Sequence, residues 1–502
     1  MRHFVEDMEG HLEAVMLLKL DGSGPLSLQL YQALRAAILH GKLAPGARLP
    51  STRTLAGEMG LSRNTVLLAY EQLLSEGYAA GRHGSGTYVP SELPDDVASM
   101  VRPQGRLLAP PARPSAPQLS RVGQTVRNWN VTWAAPDGRV PYDFRYGRPG
   151  LDFPHATWRR LLGRRLRRLS VGDLDYGPPA GSPQLRAAVA AYLQGSRGVN
   201  CTADQVVIVH GSQQAVDLSA RVLLDPGDHV LLEEPFYPGA RGVFIAAGMR
   251  IVTAPVAADG IDVSGLGAAG QRARLAYVTP SHQFPTGAIM SVARRLALLT
   301  WAEEAGAYVI EDDYDSEYRY GGRPIEALQG LDRAGRVIYV GTFSKLMFPA
   351  LRLGYAVLPE PLVKPFVAAK ALADTGGATL EQLALADFIR EGHFERHIRR
   401  SRIANGAHRA ALLEAIERHL GDRVELSGAN AGLHVLLWLN QTPARPQTVL
   451  ERVEAVGVRV YPVTPFYVTP PKRFGVILGY ASLTERQIGE GVRRLATALF
   501  ST

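Results

Sequence analysis

Residues 339–355 read "YVGTFSKLMFPALRLGY". An apolar, strand-like run ends in Thr342 and Ser344, Lys345 follows at once, and Arg352 comes seven positions later. The chain holds six lysines beside forty-nine arginines, so a lysine set among small hydroxyl residues at the end of a strand stands out. Taken singly it is a surface lysine; its neighbours along the chain decide otherwise.

A lysine can form a Schiff base with an aldehyde cofactor such as pyridoxal phosphate. Such a site needs a carboxylate for the pyridine nitrogen, a donor for the ring oxygen, an aromatic face, and amides, hydroxyls and a cation for the phosphate. "YVIEDDYDSE" (308–317) offers Asp312 for the ring nitrogen and Tyr314 for the ring oxygen. "GSQQA" (211–215) stands between a strand and a helix, so Ser212 and Gln213 present free N–H groups suited to a phosphate. Thr342 and Ser344 add hydroxyls, Arg352 adds charge, and Tyr237 in "EEPFYP" offers a ring to stack on the cofactor. Each alone has an ordinary structural explanation as a cap, a turn or packing; their order beside successive strands is what points to a cofactor. No metal site is assigned.

From about 142 to 502, apolar runs such as "DQVVIVH" and "AYVIEDD" alternate with amphipathic helices, the rhythm of an α/β domain with a mainly parallel sheet. Residues 91–141 are rich in Pro, Ala and Arg and are expected to form a linker, and 1–24 a lead-in. Residues 101–168 carry fourteen arginines against three acids, a block that suits either an anionic partner or a solvated face. A chain of 502 residues exceeds one ordinary core. No run of eighteen apolar residues appears, so no membrane span is expected, and no secretory signal is recognised. The single Cys201 excludes an internal disulfide and suits a reducing, cytoplasmic setting.

Residues 25–90 predict three helices and a hairpin. Leu30, Leu34 and Ile38 share a face of the first; Ser51 caps the second, with Leu55 and Met59 inward and Gly60 ending it. Ser62 caps the third, "LSRNTVLLAYEQLLSEGY", with Val66, Tyr70, Leu73 and Leu74 as its apolar stripe. Arg63, Asn64 and Thr65 are then exposed in its first turn, where a recognition helix meets bases and phosphates. "AAGRHGSGTYV" supplies a wing tipped by Arg82 and His83.

"PGARLPSTRTLA", the capped third helix and the Gly-rich wing together resemble the winged helix of the GntR regulator family. That resemblance implies DNA contacts at Arg53, Arg63, Thr65, His83 and Gly84, with Ser51, Ser62 and Asn64 in support. From about 142 onward the chain resembles the fold-type I aminotransferases, with a smaller α+β subdomain from about 371. "DYGPPAGSPQLR" (175–186) fits the same pattern; the resemblance implies that Tyr176 reaches the phosphate of a partner subunit, hence a homodimer. With both parts joined, and with "TPSHQFPTG", "EDDYDSEY", "GTFSK" and "GANAGLH", the whole chain is similar to the MocR/GabR group of chimeric regulators.

Two departures matter. Phe284 stands where typical aminotransferases have an Asn before "PTG", leaving His282 or Gln283 as the substitute partner of the cofactor. The C-terminal arginine that grips a substrate carboxylate is missing: its place falls near Ile477, and Arg473 is out of register. The resemblance therefore implies a transcriptional regulator that binds operator DNA and senses an amine, an amino acid or pyridoxal phosphate through an aldimine at Lys345. A working aminotransferase with a secondary DNA-binding head is the alternative reading; a DNA-binding protein whose second domain only dimerises is a third.

Overall fold

The computed structural model describes residues 20, 24–82, 86–91, 93, 118–127, 129, 140–150, 152–321 and 326–500. The chain divides into two compact units, Met1–Pro117 and Gln118–Thr502. His83, Gly84 and most of the stretch read as a linker lie outside the described residues.

In the first unit, helices Leu26–Leu39, Thr52–Glu58 and Arg63–Ser75 enclose one core. Ser51 Oγ accepts from Thr54 N and Ser62 Oγ from Thr65 N, both at 3.1 Å, so each short helix starts on a side-chain cap. Leu30, Leu34 and Ile38 are buried together with Leu55, Val66, Tyr70 and Leu73. Leu74 is 40% exposed, against expectation, and Ala69 takes its place in the core. At 100° per residue, Ala69 and Leu73 fall inside the stripe set by Val66 and Tyr70, whereas Leu74 falls at its edge. Strands β1 (Ala80–Arg82) and β2 (Gly86–Tyr88) pair antiparallel as the stem of the wing.

The second unit opens with β3 (Tyr142–Asp143), followed by β4 (Val206–Val209), β5 (His229–Glu234), β6 (Arg250–Ala257), β7 (Gly260–Ile261) and β8 (Ala273–Val278). β9 (Tyr308–Asp313), β10 (Val337–Thr342) and β11 (Gly354–Val357) complete one eight-stranded sheet of order β4-β11-β10-β9-β8-β5-β6-β7. The run β10-β9-β8-β5-β6 is parallel; β11 is antiparallel to both of its neighbours. Alternate residues face two apolar cores: Ile208, Tyr339 and Tyr355 on one side, Val207, Ile338 and Ala356 on the other. Such two-sided burial is why these strands read as nearly unbroken apolar runs. A Cβ at Gly341 would fall 2.3 Å from the Tyr355 ring, so β10 and β11 cross at a point that only glycine fits.

Strands β12 (Val424–Ser427), β13 (His434–Leu439), β14 (Val458–Arg459), β15 (Tyr461–Pro462) and β16 (Gly475–Gly479) follow. β12-β13-β16-β15 is an antiparallel sheet, while β14 pairs with β3 far back in sequence. Helix Thr379–Arg390 buries Ala384, Leu385 and Phe388 in the large core. The passage to the small core comes later, within helix His393–His419: Ile398 belongs to the first core and Leu412 to the second. Inside the stretch read as a linker, Arg121–Arg127 is helical, and the Trp129 indole lies 2.7 Å from where a Cβ on Gly242 would sit. Among the described residues no helix is long and apolar enough to cross a membrane.

Candidate cofactor pocket and nucleic-acid interface

A cavity of about 330 Å³ lies at the carboxyl ends of the parallel strands, the crevice where open α/β sheets bind ligands. Gly211, Ser212 and Gln213 follow β4, Tyr237 follows β5, Tyr277 and Thr279 close β8, Asp312 and Tyr314 close β9, and Thr342 ends β10. Lys345 and Arg352 come from the loop between β10 and β11. Tyr146 and Gly147, after β3, and Leu433 and His434, at the start of β13, wall the opposite side.

Lys345 is half-buried, and its Nζ donates to Gly147 O at 2.6 Å. Burial lowers its pKa to about 8 against the pull of Asp315 and Asp312. Asp312 Oδ2 accepts from Tyr277 Oη at 2.6 Å, while Oδ1 is buried with no hydrogen-bond partner among the described residues. Burial raises the Asp312 carboxyl to about 7. Ser344 Oγ is likewise buried and unpartnered. Helix Ser212–Leu223 points its N-terminus into the cavity behind Gly211, whose φ of +81° favours glycine. Arg352, itself at φ +53°, lays its guanidinium 3.5 Å from the place a Gly211 Cβ would take and donates to His210 O at 2.8 Å.

The residues singled out in the sequence around Lys345 thus converge: Ser212, Gln213, Tyr237, Asp312, Tyr314, Thr342, Ser344 and Arg352 all line one cavity. Tyr237 lies edge-on to Phe284 at 5.7 Å, and Gln213 Nε2 donates to Gly239 O at 2.8 Å, tying the two loops together. Between the two open alternatives, neither His282 nor Gln283 lines the cavity; Phe284 does. Gln283 is turned into its own loop, donating to Pro235 O at 2.8 Å and accepting from Thr286 Oγ1 at 2.6 Å. His282 stands one layer back, holding Tyr314: the phenol donates to His282 O at 2.9 Å and lies 3.0 Å from Nδ1. His282 Nδ1 in turn lies 3.2 Å from both oxygens of Asp315. Arg473 is remote, bound to Glu425 at 2.7 Å, and Ile477 is buried with Phe284 and Phe466. Tyr176 is 84% exposed, on the loop before helix Pro183–Arg197.

Sequence reasoning missed Tyr146, Gly147, Tyr277, Asp315 and His434 in the wall. Asp315 carried a signal, since it follows Tyr314 directly in the acidic run "EDDYDSE". Gly147 acts through its carbonyl and left none.

In the first unit, Arg63 and Asn64 stand exposed in the opening turn of helix Arg63–Ser75 beside the capping Ser62, with Thr65 half-buried. Arg53 and Ser51 are exposed on the preceding helix and its cap. The arrangement leaves side-chain donors and free N–H groups together at one helix start, as groove and phosphate recognition requires.

The model of the bacterial regulatory proteins of the gntR family matches residues 26–89, and that of the class I and II aminotransferases matches 157–495. The chain is 40% identical over 492 residues to the probable rhizopine catabolism regulatory protein MocR of Rhizobium meliloti, covering 97% of this chain and 96% of that one. It is 33% identical to the HTH-type transcriptional regulator TauR of Rhodobacter capsulatus, covering 95% and 97%. Among solved structures, the α-aminoadipate aminotransferase LysN of Thermus thermophilus, complexed with N-(5'-phosphopyridoxyl)-L-leucine, superposes with a TM-score of 0.66 at 32% identity. That match covers 72% of this chain and 92% of that one. The chain belongs to the gntR family of bacterial regulatory proteins, in its MocR-type branch, where a DNA-binding head is joined to a class I and II aminotransferase domain.

Proposed function

We propose that this regulator is cytoplasmic and homodimeric, holds pyridoxal 5'-phosphate at Lys345, and changes its hold on operator DNA when an amino-group ligand enters the same pocket. The observation that carries this reading is the pair of buried, unpartnered atoms Asp312 Oδ1 and Ser344 Oγ in the wall that also holds Lys345. A buried polar atom without a partner is costly, and a ring nitrogen and a phosphate are groups that would satisfy these two.

Pyridoxal 5'-phosphate, when bound, supplies an aldehyde carbon that condenses reversibly with primary amines. Lys345 presents an amine whose burial favours the neutral, nucleophilic form. Asp312 Oδ1 would hold a proton at the ring nitrogen, and Tyr314, beside His282, would turn its one hydroxyl proton from the His282 carbonyl to the ring oxygen. Arg352, Thr342, Ser344 and the start of helix Ser212–Leu223 bind the phosphate, and the ring of Tyr237 excludes water from one face. Tyr176, exposed in the single chain, supplies a phosphate donor to the partner subunit. Arg63, with Arg53 and Asn64, carries the DNA contacts. A ligand regulates only if it binds two arrangements of the protein with different affinity.

The test is the visible spectrum of the purified protein together with operator binding. The wild type should be yellow or become so with added pyridoxal phosphate, and Lys345→Ala should not. Operator binding by the wild type alone should respond to ligand. A wild type that retains no yellow colour once unbound cofactor has been removed by gel filtration sinks the cofactor reading. Steady transamination lost in Lys345→Ala would instead support the enzyme reading.

A further inference from the structure

The ionisable side chains in the cavity wall are Asp312, Asp315, Lys345, Arg352, His434 and four tyrosines. The phenols stay protonated: burial pushes Tyr146 up to about 12, and Tyr237, Tyr277 and Tyr314 higher still. Burial and the neighbouring His282 hold His434 neutral, with a pKa of about 3, and its Nε2 lies 3.1 Å from Pro285 O. The acidic and basic side chains that remain are Lys345, Arg352, Asp312 and Asp315. In the cofactor reading above, the phosphate takes Arg352, the ring nitrogen takes Asp312, and the carbonyl carbon takes Lys345. Asp315 is left over.

Asp315 is 2% exposed, and among the described residues its carboxylate accepts only from His282 Nδ1, at 3.2 Å to both oxygens. A carboxylate has about four acceptor positions. Among the charges acting on the Lys345 amine, that of Asp315 is the strongest. A positive or donor group placed beside the reactive amine is therefore attracted to Asp315, and a carboxylate there is repelled. Condensation of the ligand amine with the cofactor frees the Lys345 amine, whose strongest charged neighbour is Asp315; among the described wall residues no cation beyond that amine and Arg352 is available to a ligand carboxylate, and burying one unpaired is costly. On the small-subdomain side, Ile477 is buried among Phe284, Leu436, Val463 and Phe466, with tyrosines and Trp438 packed around them and no charged side chain in the cluster.

Resting on the cofactor reading, we infer that the amino ligand of this pocket carries no carboxylate and presents a second donor group, an amine or hydroxyl, to Asp315. The ligand class is the diamines and amino alcohols, not the α-amino acids. Arg145 and Arg148 flank Tyr146 and Gly147 in sequence but lie outside the wall, and Asp143 and Tyr461 face Arg148.

The test uses the full-length protein loaded with pyridoxal phosphate and pairs of probes that differ by one carboxylate: cadaverine against lysine, putrescine against ornithine. Spectral titration and thermal shift are read together. Each amine should act at a concentration about 10-fold or more below that of its amino acid, and Asp315→Asn should erase the advantage of a diamine over a monoamine of equal length. Ile477→Arg, if it folds, should reverse the order within each pair. An amino acid that binds as tightly as its amine overturns the inference and points to Arg145 or Arg148, and silence towards every amine in a yellow protein overturns it as well. A protein that never turns yellow fails at the earlier step, so the two failures are told apart before any probe is added.

Discussion

Lys345 has its amine bonded to a backbone carbonyl, deep in a wall that also holds two carboxylates. The sign of its shift decides how it behaves. Burial disfavours the ammonium and brings the pKa down to about 8, so the neutral, reactive fraction grows as pH rises through that value. The rate at which added pyridoxal phosphate turns yellow on the protein should therefore climb with pH and level off above about 8. A midpoint near the ordinary lysine value of about 10.4 would refute the account. At this scale the sequence was informative where a side chain does the work and follows a strand closely, as with Asp312, Tyr314 and Arg352. It was silent where the chain contributes a carbonyl, as at Gly147, or where the residue arrives from far along the chain, as with Tyr146 and His434. That Phe284 rather than His282 or Gln283 lines the cavity depends on which way the side chains of one buried loop face, which no spacing encodes.

Helices are where stability and recognition separate. Ser62 caps helix Arg63–Ser75 through its hydroxyl, and Arg63 points outward from the same turn. Ser62→Ala should lower the stability of the head by about 1 kcal/mol, seen as a lower melting temperature. Arg63→Ala should leave that temperature unchanged and weaken operator binding, with a shallower salt dependence than the wild type. Unchanged operator affinity in Arg63→Ala would remove this helix from the interface. The apolar period of the helices was legible, and so was the strand rhythm. The edge of a stripe was not: Leu74 is solvent-facing because Ala69 and Leu73 already fill the seam. Helix Arg121–Arg127 escaped notice because its seven residues bury none of their own side chains and so carry no amphipathic signature.

At the scale of the whole molecule, the proposed homodimer gives Tyr176 a part in the pocket of another copy. Tyr176 is exposed and its side chain makes no contact that the single chain needs. Tyr176→Phe should therefore spare the melting temperature of the cofactor-free protein, yet raise the apparent Kd for pyridoxal phosphate by about 10-fold, the loss of one hydrogen bond to a charged group. Equal affinity in the variant would argue that no second subunit completes the site, and a monomer by light scattering would say the same independently.

The two unpartnered buried atoms, Asp312 Oδ1 and Ser344 Oγ, also bear on how long each molecule lasts in the cell. Each such atom costs on the order of 1–3 kcal/mol while it lacks a partner, enough to multiply the share of opened chains several-fold. A cofactor that satisfies both would shift that share back by mass action. Starving a cell of vitamin B6 would then thin out the protein by proteolysis before any effector is sensed, so abundance itself becomes a second signal. Digestion by a nonspecific protease should slow when pyridoxal phosphate is added to the wild type and should slow less for Asp312→Ala; equal slowing in both would break the link.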